Sequence, residues 1–277
     1  YKVMKLKRTI IIICTIFILI GAAGGMFYFY DMKNSENQIE VLKEKMPENE
    51  RSESQKKECL DYYLIDGKKI QENMKDLYME NQDFVGWLTI DNTSIDYPVM
   101  QCRRDMNYYL HRGYDKEYSG QGSLFANILS NISAPSDNIL IYGHHMITDT
   151  MFHSLTEYEN EEYYRKHKYI TFDSIYRTGT YEVIAAFRTK IQSDEDGRFV
   201  YYNFFDARNK DEYNNYIDNI KKLTPYQMDS TAEYGDKLIT LSTCAYHTKN
   251  GRFVVVGKQI NGLEITNESI CLGEIVQ

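Results

Sequence analysis

The five cysteines of this 277-residue chain, Cys14, Cys59, Cys102, Cys244 and Cys271, include no CxxC pair. A zinc ribbon or thioredoxin-type redox motif is therefore unsupported. Two disulfides outside the apolar N-terminal run are arithmetically possible, but no spacing demands them, and a chain of this length needs no staples. The adjacent His144 and His145 lack a carboxylate at HExxH spacing, and neighbours on a strand point to opposite faces, so no metal site is expected there. Positive charge is also short. Lys and Arg number 32 against 40 Asp and Glu, a net charge of -8. That balance excludes a general nucleic-acid binder, which needs clustered cations on phosphate. A single Trp beside 25 Tyr is a skew without functional meaning. No internal repeat is present.

Charge is missing altogether from residues 10–30. A helix of that length covers roughly 30 Å, the thickness of the hydrocarbon core. Lys2, Lys5, Lys7 and Arg8 precede it, while Asp31, Lys33 and Glu36 follow. The excess of cations before it predicts a cytoplasmic N-terminus and an external remainder. A cleaved signal peptide cut near Ala22-Ala23-Gly24-Gly25 is the alternative. The apolar run continues through Met26, Phe27, Tyr28, Phe29 and Tyr30, which favours an uncleaved anchor.

The expected organisation is a basic segment 1–8, an anchor 9–30, a helical stalk 31–80, a main domain 81–261 and a tail 262–277 with no legible signal. In the stalk, 38–43 reads as a short helix and 53–78 as a longer one, from apolar residues at helical spacing (Leu60, Tyr63 and Leu64; Ile70, Met74 and Leu77). From Asp83 onward the texture changes to short β-branched and aromatic runs between Gly, Asn, Asp and Ser. Strands are expected at 86–90, 94–99, 122–127, 138–142, 169–173, 180–189, 237–244 and 253–260. Helical pieces are expected at 151–158 and 207–223; the latter carries Tyr213, Tyr216, Ile217 and Ile220 as an apolar stripe. Eight short strands with few helices predict a closed or nearly closed β-barrel.

Two strands end on reactive side chains. The run 138–142 leads through Gly143 to His144, a rigid platform facing a loop region. The run 237–244 ends on Cys244. Most free cysteines are buried and inert, but Arg252 opens the next strand after a polar loop. If the two strands pair as a hairpin, Arg252 returns beside Cys244. A neighbouring cation favours the thiolate, and a guanidinium can hydrogen-bond an oxyanion. Cysteine, histidine and an electrostatic donor form a coherent acyl-transfer set. His247, in the loop after the cysteine, is a rival base on a poorer platform.

These segments match a family. Thr240-Leu241-Ser242-Thr243-Cys244 resembles the TLxTC signature of sortases, and Asn250-Gly251-Arg252-Phe253-Val254-Val255 resembles their arginine segment. Ile141-Tyr142-Gly143-His144-His145-Met146 resembles the histidine segment, with His144 as the matching residue. Asp83-Phe84-Val85-Gly86-Trp87-Leu88, Ile95-Asp96-Tyr97-Pro98-Val99 and Tyr108-Tyr109-Leu110 resemble class B members. The resemblance covers about 83–260. It implies a mainly β fold: a closed eight-stranded barrel with N-terminal helices and a helix between late barrel strands. It implies a cysteine transpeptidase that cuts a C-terminal sorting signal of secreted proteins after Thr through a thioacyl enzyme. The acceptor would be a peptidoglycan amine on a lipid II-like precursor. Cys244 would be nucleophile, His144 acid and base, and Arg252 the oxyanion stabiliser, with Ser242, Thr243 and Leu110 binding substrate. No cofactor or metal is implied. Partners would be surface proteins bearing the signal and the membrane through the N-terminal helix. A pilus-polymerising enzyme with a Lys acceptor, an inactive signal-binding module and a hydrolytic cysteine protease are the rival readings. One departure is Ala245, where many class B chains carry an acidic residue.

Overall fold

The computed structural model describes residues 2–46, 62–65, 67–191, 199–244, 250–262 and 271–274. The charge-free run sits in a single helix, α1 (Lys2–Glu44). It includes an 18-residue window of mean hydropathy 2.6, none of which is buried. The apolar stretch and the expected short helix at 38–43 are thus one element. No Pro interrupts the join, and Leu42 and the partly buried Ile39 give its second half a face to pack.

The helix expected at 53–78 is not formed across its centre; 53–61 lies outside the described residues. Strands β1 (Tyr62–Ile65) and β2 (Lys68–Gln71) pair antiparallel, with Ile65 opposite Lys68. Of the residues between them, Gly67 has φ +73°, and Asp66 lies outside the described residues. Asp-Gly between apolar runs is a strong hairpin signal, because a two-residue turn needs positive φ. It overrides the helical spacing of Tyr63, Leu64 and Ile70. Helix returns only at α2 (Lys75–Glu80), which buries Leu77 and Tyr78. The tail is not structureless either: β11 (Cys271–Glu274) runs parallel to β1.

The barrel comprises β3 (Phe84–Thr89), β4 (Asp96–Met100), β5 (Leu124–Ala126), β6 (Asn138–Gly143), β7 (Tyr169–Ser174), β8 (Thr180–Lys190), β9 (Leu238–Cys244) and β10 (Gly251–Asn261). Its order is β10-β8-β7-β3-β4-β5-β6-β9, closed by β9 against β10. All eight expected strands form, within about two residues at their ends. The β4–β5 and β6–β9 pairs are parallel and the rest antiparallel. The expected helix at 151–158 is instead a 3-10 stretch, His153–Glu159, followed by α3 (Glu161–Lys166), capped by the Asn160 side chain.

Helix α4 (Lys210–Leu223) starts where the Asn209 side chain accepts from the Glu212 N–H, and stops at Thr224, held extended before Pro225. Its buried face is the expected stripe of Tyr213, Tyr216, Ile217 and Ile220. That stripe covers Leu140, Ile184, Val254 and Val256 on the outside of the barrel. Ile139, Ile141, Ile239, Leu241 and Val255 fill the inside. Strands β6, β9 and β10 are therefore buried on both faces, which is why 139–141 and 253–256 read as unbroken apolar runs, while β9 also buries the hydroxyls of Thr240, Ser242 and Thr243.

Candidate active site

Register brings three distant segments to one rim of the barrel. Gly143, the last residue of β6, pairs with Thr243 of β9. Cys244, the last residue of β9, pairs with Arg252 of β10. Directly opposed residues share a sheet face, so the backbone sets Cys244 and Arg252 on one face, with His144 one residue past the neighbouring strand. His247 and Ala245 lie outside the described residues.

His144 is held from two sides. Its Nε2 meets the Leu110 carbonyl at 2.7 Å. A carbonyl only accepts, so Nε2 carries the proton in the neutral ring and Nδ1 keeps a free lone pair. The Leu110 carbonyl is itself fixed, in the 3-10 turn Tyr108–His111. It lies so close to Gly122, at φ +60°, that a Cβ there would come within 2.4 Å of the oxygen. On the other side, the His144 carbonyl accepts from the Phe152 N–H at 2.9 Å.

Gly143 sets the approach. A Cβ on it would stand 2.4 Å from Leu124 Cδ2 and 2.7 Å from Phe152 Cδ2, and both side chains are fully buried. Gly143→Ala should therefore cost about 1–3 kcal/mol, as overpacking does. It should also displace Phe152 and with it His144. A drop in denaturant midpoint together with a fall in turnover is expected; unchanged values for both would contradict this packing.

The His111 ring stacks on His144, centroids 5.4 Å apart and planes 28° from parallel. Burial holds the His144 imidazole below its ordinary value of 6.5, the Leu110 hydrogen bond opposes this, and His111 lowers it further. The ring is therefore neutral at pH 7. The unfolded chain protonates more readily, so the contribution of His144 to stability is complete above pH 6.5 and is lost as pH falls through the folded value. Removing His111 takes away a like charge and part of the cover, and both changes raise the His144 value. A histidine-ring NMR titration should show His144 below 6.5 in the native chain and higher in His111→Ala. Unaltered titration in the variant would deny the coupling.

Arg252 Nη1 donates to the Gly251 carbonyl at 2.8 Å. Its charge opposes the burial that pushes the Tyr142 and Tyr201 phenols up. A cleft of about 310 Å³ is lined by Leu110, Tyr142, His144, Tyr201, Ser242, Thr243 and Arg252, among others. All three residues expected to bind substrate thus line it, in different states. The Ser242 hydroxyl is committed to the Tyr201 hydroxyl at 2.6 Å. The Thr243 hydroxyl is buried with no hydrogen-bond partner among the described residues. Tyr142 and Tyr201 were not foreseen. Tyr142 was legible as the residue two before His144 on the same strand; Tyr201 comes from a 3-10 turn with no motif near it. Among the described residues no three His, Cys, Asp or Glu are grouped to hold a metal ion.

The sortase domain model matches residues 88–260. Sortase B of Staphylococcus aureus is 32% identical over 182 residues, covering 65% of this chain and 71% of that protein. Sortase B of Listeria monocytogenes is 30% identical over 193 residues, covering 69% and 75%. The structure of the Staphylococcus aureus sortase B–substrate complex superposes with a TM-score of 0.71 at 28% identity, over 84% of this chain and 99% of that one. A closed eight-stranded barrel, a helix between its late strands and this match across most of the chain agree with the motif reading: the chain belongs to the sortase family, in its class B group.

Proposed function

We propose that this protein is a cysteine transpeptidase that cleaves a C-terminal sorting signal after Thr and joins the Thr carboxyl to a peptidoglycan amine. The observation that supports this reading is the register of β6, β9 and β10, which sets Cys244 opposite Arg252 and Gly143 beside Thr243, while His144 and Arg252 line one cleft. In this scheme neutral His144 takes the Cys244 thiol proton at Nδ1 as the sulfur attacks the Thr carbonyl carbon. The oxygen takes the negative charge, and the Arg252 guanidinium stabilises it. The C–N bond then breaks, and the leaving amine takes a proton from His144, leaving a thioacyl enzyme. An acceptor amine attacks the thioester, gives its proton to His144 and releases the thiolate, which takes that proton back and restores the thiol and the neutral ring. Because Nε2–H is committed to the Leu110 carbonyl, the proton moves at Nδ1. Thr243, whose hydroxyl has no partner among the described residues, is the group on β9 left to hydrogen-bond the signal. Ser242 acts through Tyr201.

Residues 81–261 form the catalytic domain in this reading, with residues 9–30 as a single-pass anchor. The cations before the run put the N-terminus inside and the domain outside. The test is incubation with a panel of sorting-signal peptides and an amine acceptor, read by mass spectrometry. Cleavage after Thr and a joined product are expected. No cleavage and no product across the panel would end the proposal.

A further inference from the structure

Helix α1 does not stop where its apolar run stops, and its second half is fastened to the barrel in a sequential ladder. Lys45 pairs with Glu80, and Lys43 with Asp96 at 3.6 Å. Gln38 bonds Asp115, and the Ser35 and Ser119 hydroxyls meet at 2.9 Å. At the top, the Met32 carbonyl accepts from Gln121 Nε2 at 3.3 Å, and the Asp31 carboxylate accepts from the Gly120 N–H at 2.8 Å. From Lys45 back to Asp31 the helix rises about 20 Å. The loop around 118–121 is thus fastened directly beside the end of the apolar run, while Glu80 lies far from it. A second loop joins this end, because Thr150 Oγ1 donates to Gln121 Oε1 at 3.0 Å. These two loops carry Tyr118, 63% exposed, and Ile147, 89% exposed.

We propose that the barrel rests on the lipid bilayer through Tyr118 and Ile147, so that the cleft beside His144 opens at the lipid–water interface. The inference rests on the reading of α1 as a membrane-spanning anchor. An aromatic ring and a branched apolar side chain suit the interfacial zone, where such groups sink about 5–10 Å. Two side chains alone would not hold a free domain on a membrane, but the anchor already brings them there, so little association cost remains. Charges nearby are mixed, Arg112 and Lys116 with Glu117 and Asp149. The contact is therefore apolar and does not need anionic lipid. His144 is three residues from Ile147 in sequence, so the resting loop is continuous with the base of the active site. Sorting signals still close to the membrane, and acceptor amines carried on lipid, would meet the cleft at its own depth.

The chain has one Trp, Trp87, which is buried and gives a constant background. The full chain is placed in phosphatidylcholine nanodiscs with or without brominated acyl chains, which quench Trp on contact. Four variants each add one Trp: Phe17→Trp within the apolar run, Tyr118→Trp, Ile147→Trp, and Asp76→Trp on the exposed face of α2 at the far end. The first three should lose most of their added emission in brominated discs, and Asp76→Trp should lose none. Quenching at Phe17→Trp with Tyr118→Trp and Ile147→Trp as bright as Asp76→Trp overturns the resting surface and leaves the anchor standing. Loss of quenching at Phe17→Trp as well removes the anchor reading and this inference with it.

Discussion

Cys244→Ala should remove both cleavage of sorting-signal peptides and transfer to an amine, a loss on the order of 10⁶-fold in kcat, as when a covalent nucleophile is deleted. Both reactions go together because each passes through the same thioester. A transpeptidase that held donor and acceptor side by side without a covalent stage would keep part of its transfer activity. The native chain should also trap a mass equal to the signal up to its Thr, and the variant should trap none. Cys102→Ala is the matched control. Cys102 is buried in the cluster under α1 and α2 and is not among the residues that line the cleft, so its loss should leave turnover near the native level. Substantial peptide cleavage by Cys244→Ala would dismiss the cysteine mechanism outright.

Arg252 should come next in size. Truncation to Ala should lower kcat by about 10²–10³-fold, the usual result of removing one donor to an oxyanion. Arg252→Lys keeps the charge but not the planar fork of donors, so it should recover only part of the loss. The split between kcat and KM separates two roles. If Arg252 stabilises the oxyanion, kcat falls while KM changes little; if it only orients the signal, KM rises and kcat survives. Its position favours the first, because it stands directly opposite the proposed nucleophile in the β9–β10 register. Near-normal kcat in Arg252→Lys would leave Arg252 without the role assigned to it.

The strands that carry the site were legible because both of their faces are covered. Ile139, Leu140 and Ile141 on β6, and Val254, Val255 and Val256 on β10, form runs that only a doubly buried strand requires. The α4 stripe was legible for the converse reason: one face is buried and the other is polar. The hairpin β1–β2 was misread because Leu60 to Leu77 happens to satisfy a helical period, while the Asp66-Gly67 pair in the sequence is the hairpin signal that should have outweighed it. β11 was invisible because its partner β1 stands some 200 residues earlier, and no local pattern reports such a pairing. At the site, His144 and Arg252 could be chosen from strand ends and motifs. The contacts around them could not: Leu110 on His144 and Tyr201 on the cleft residue Ser242 are made across 34 and 41 residues by loops whose sequence says nothing of where they fold.

The parallel pair β6–β9 bears on how the protein matures. Asn138 lies beside Leu238, and the ladder runs on to Gly143 beside Thr243, so the two strands meet across 100 residues of intervening chain. Pairings this distant in sequence close late and slowly, because the entropy of the loop is lost before the contact returns any energy. The ends of β6 and β9, which carry His144 and Cys244, therefore come together late in folding. Until then the Cys244 thiol lacks the base that the proposed mechanism gives it and stays a weakly reactive cysteine. In the proposed mechanism a chain stalled before this pairing is chemically silent, and the newly made protein gains its reactivity in the same step that seals its core.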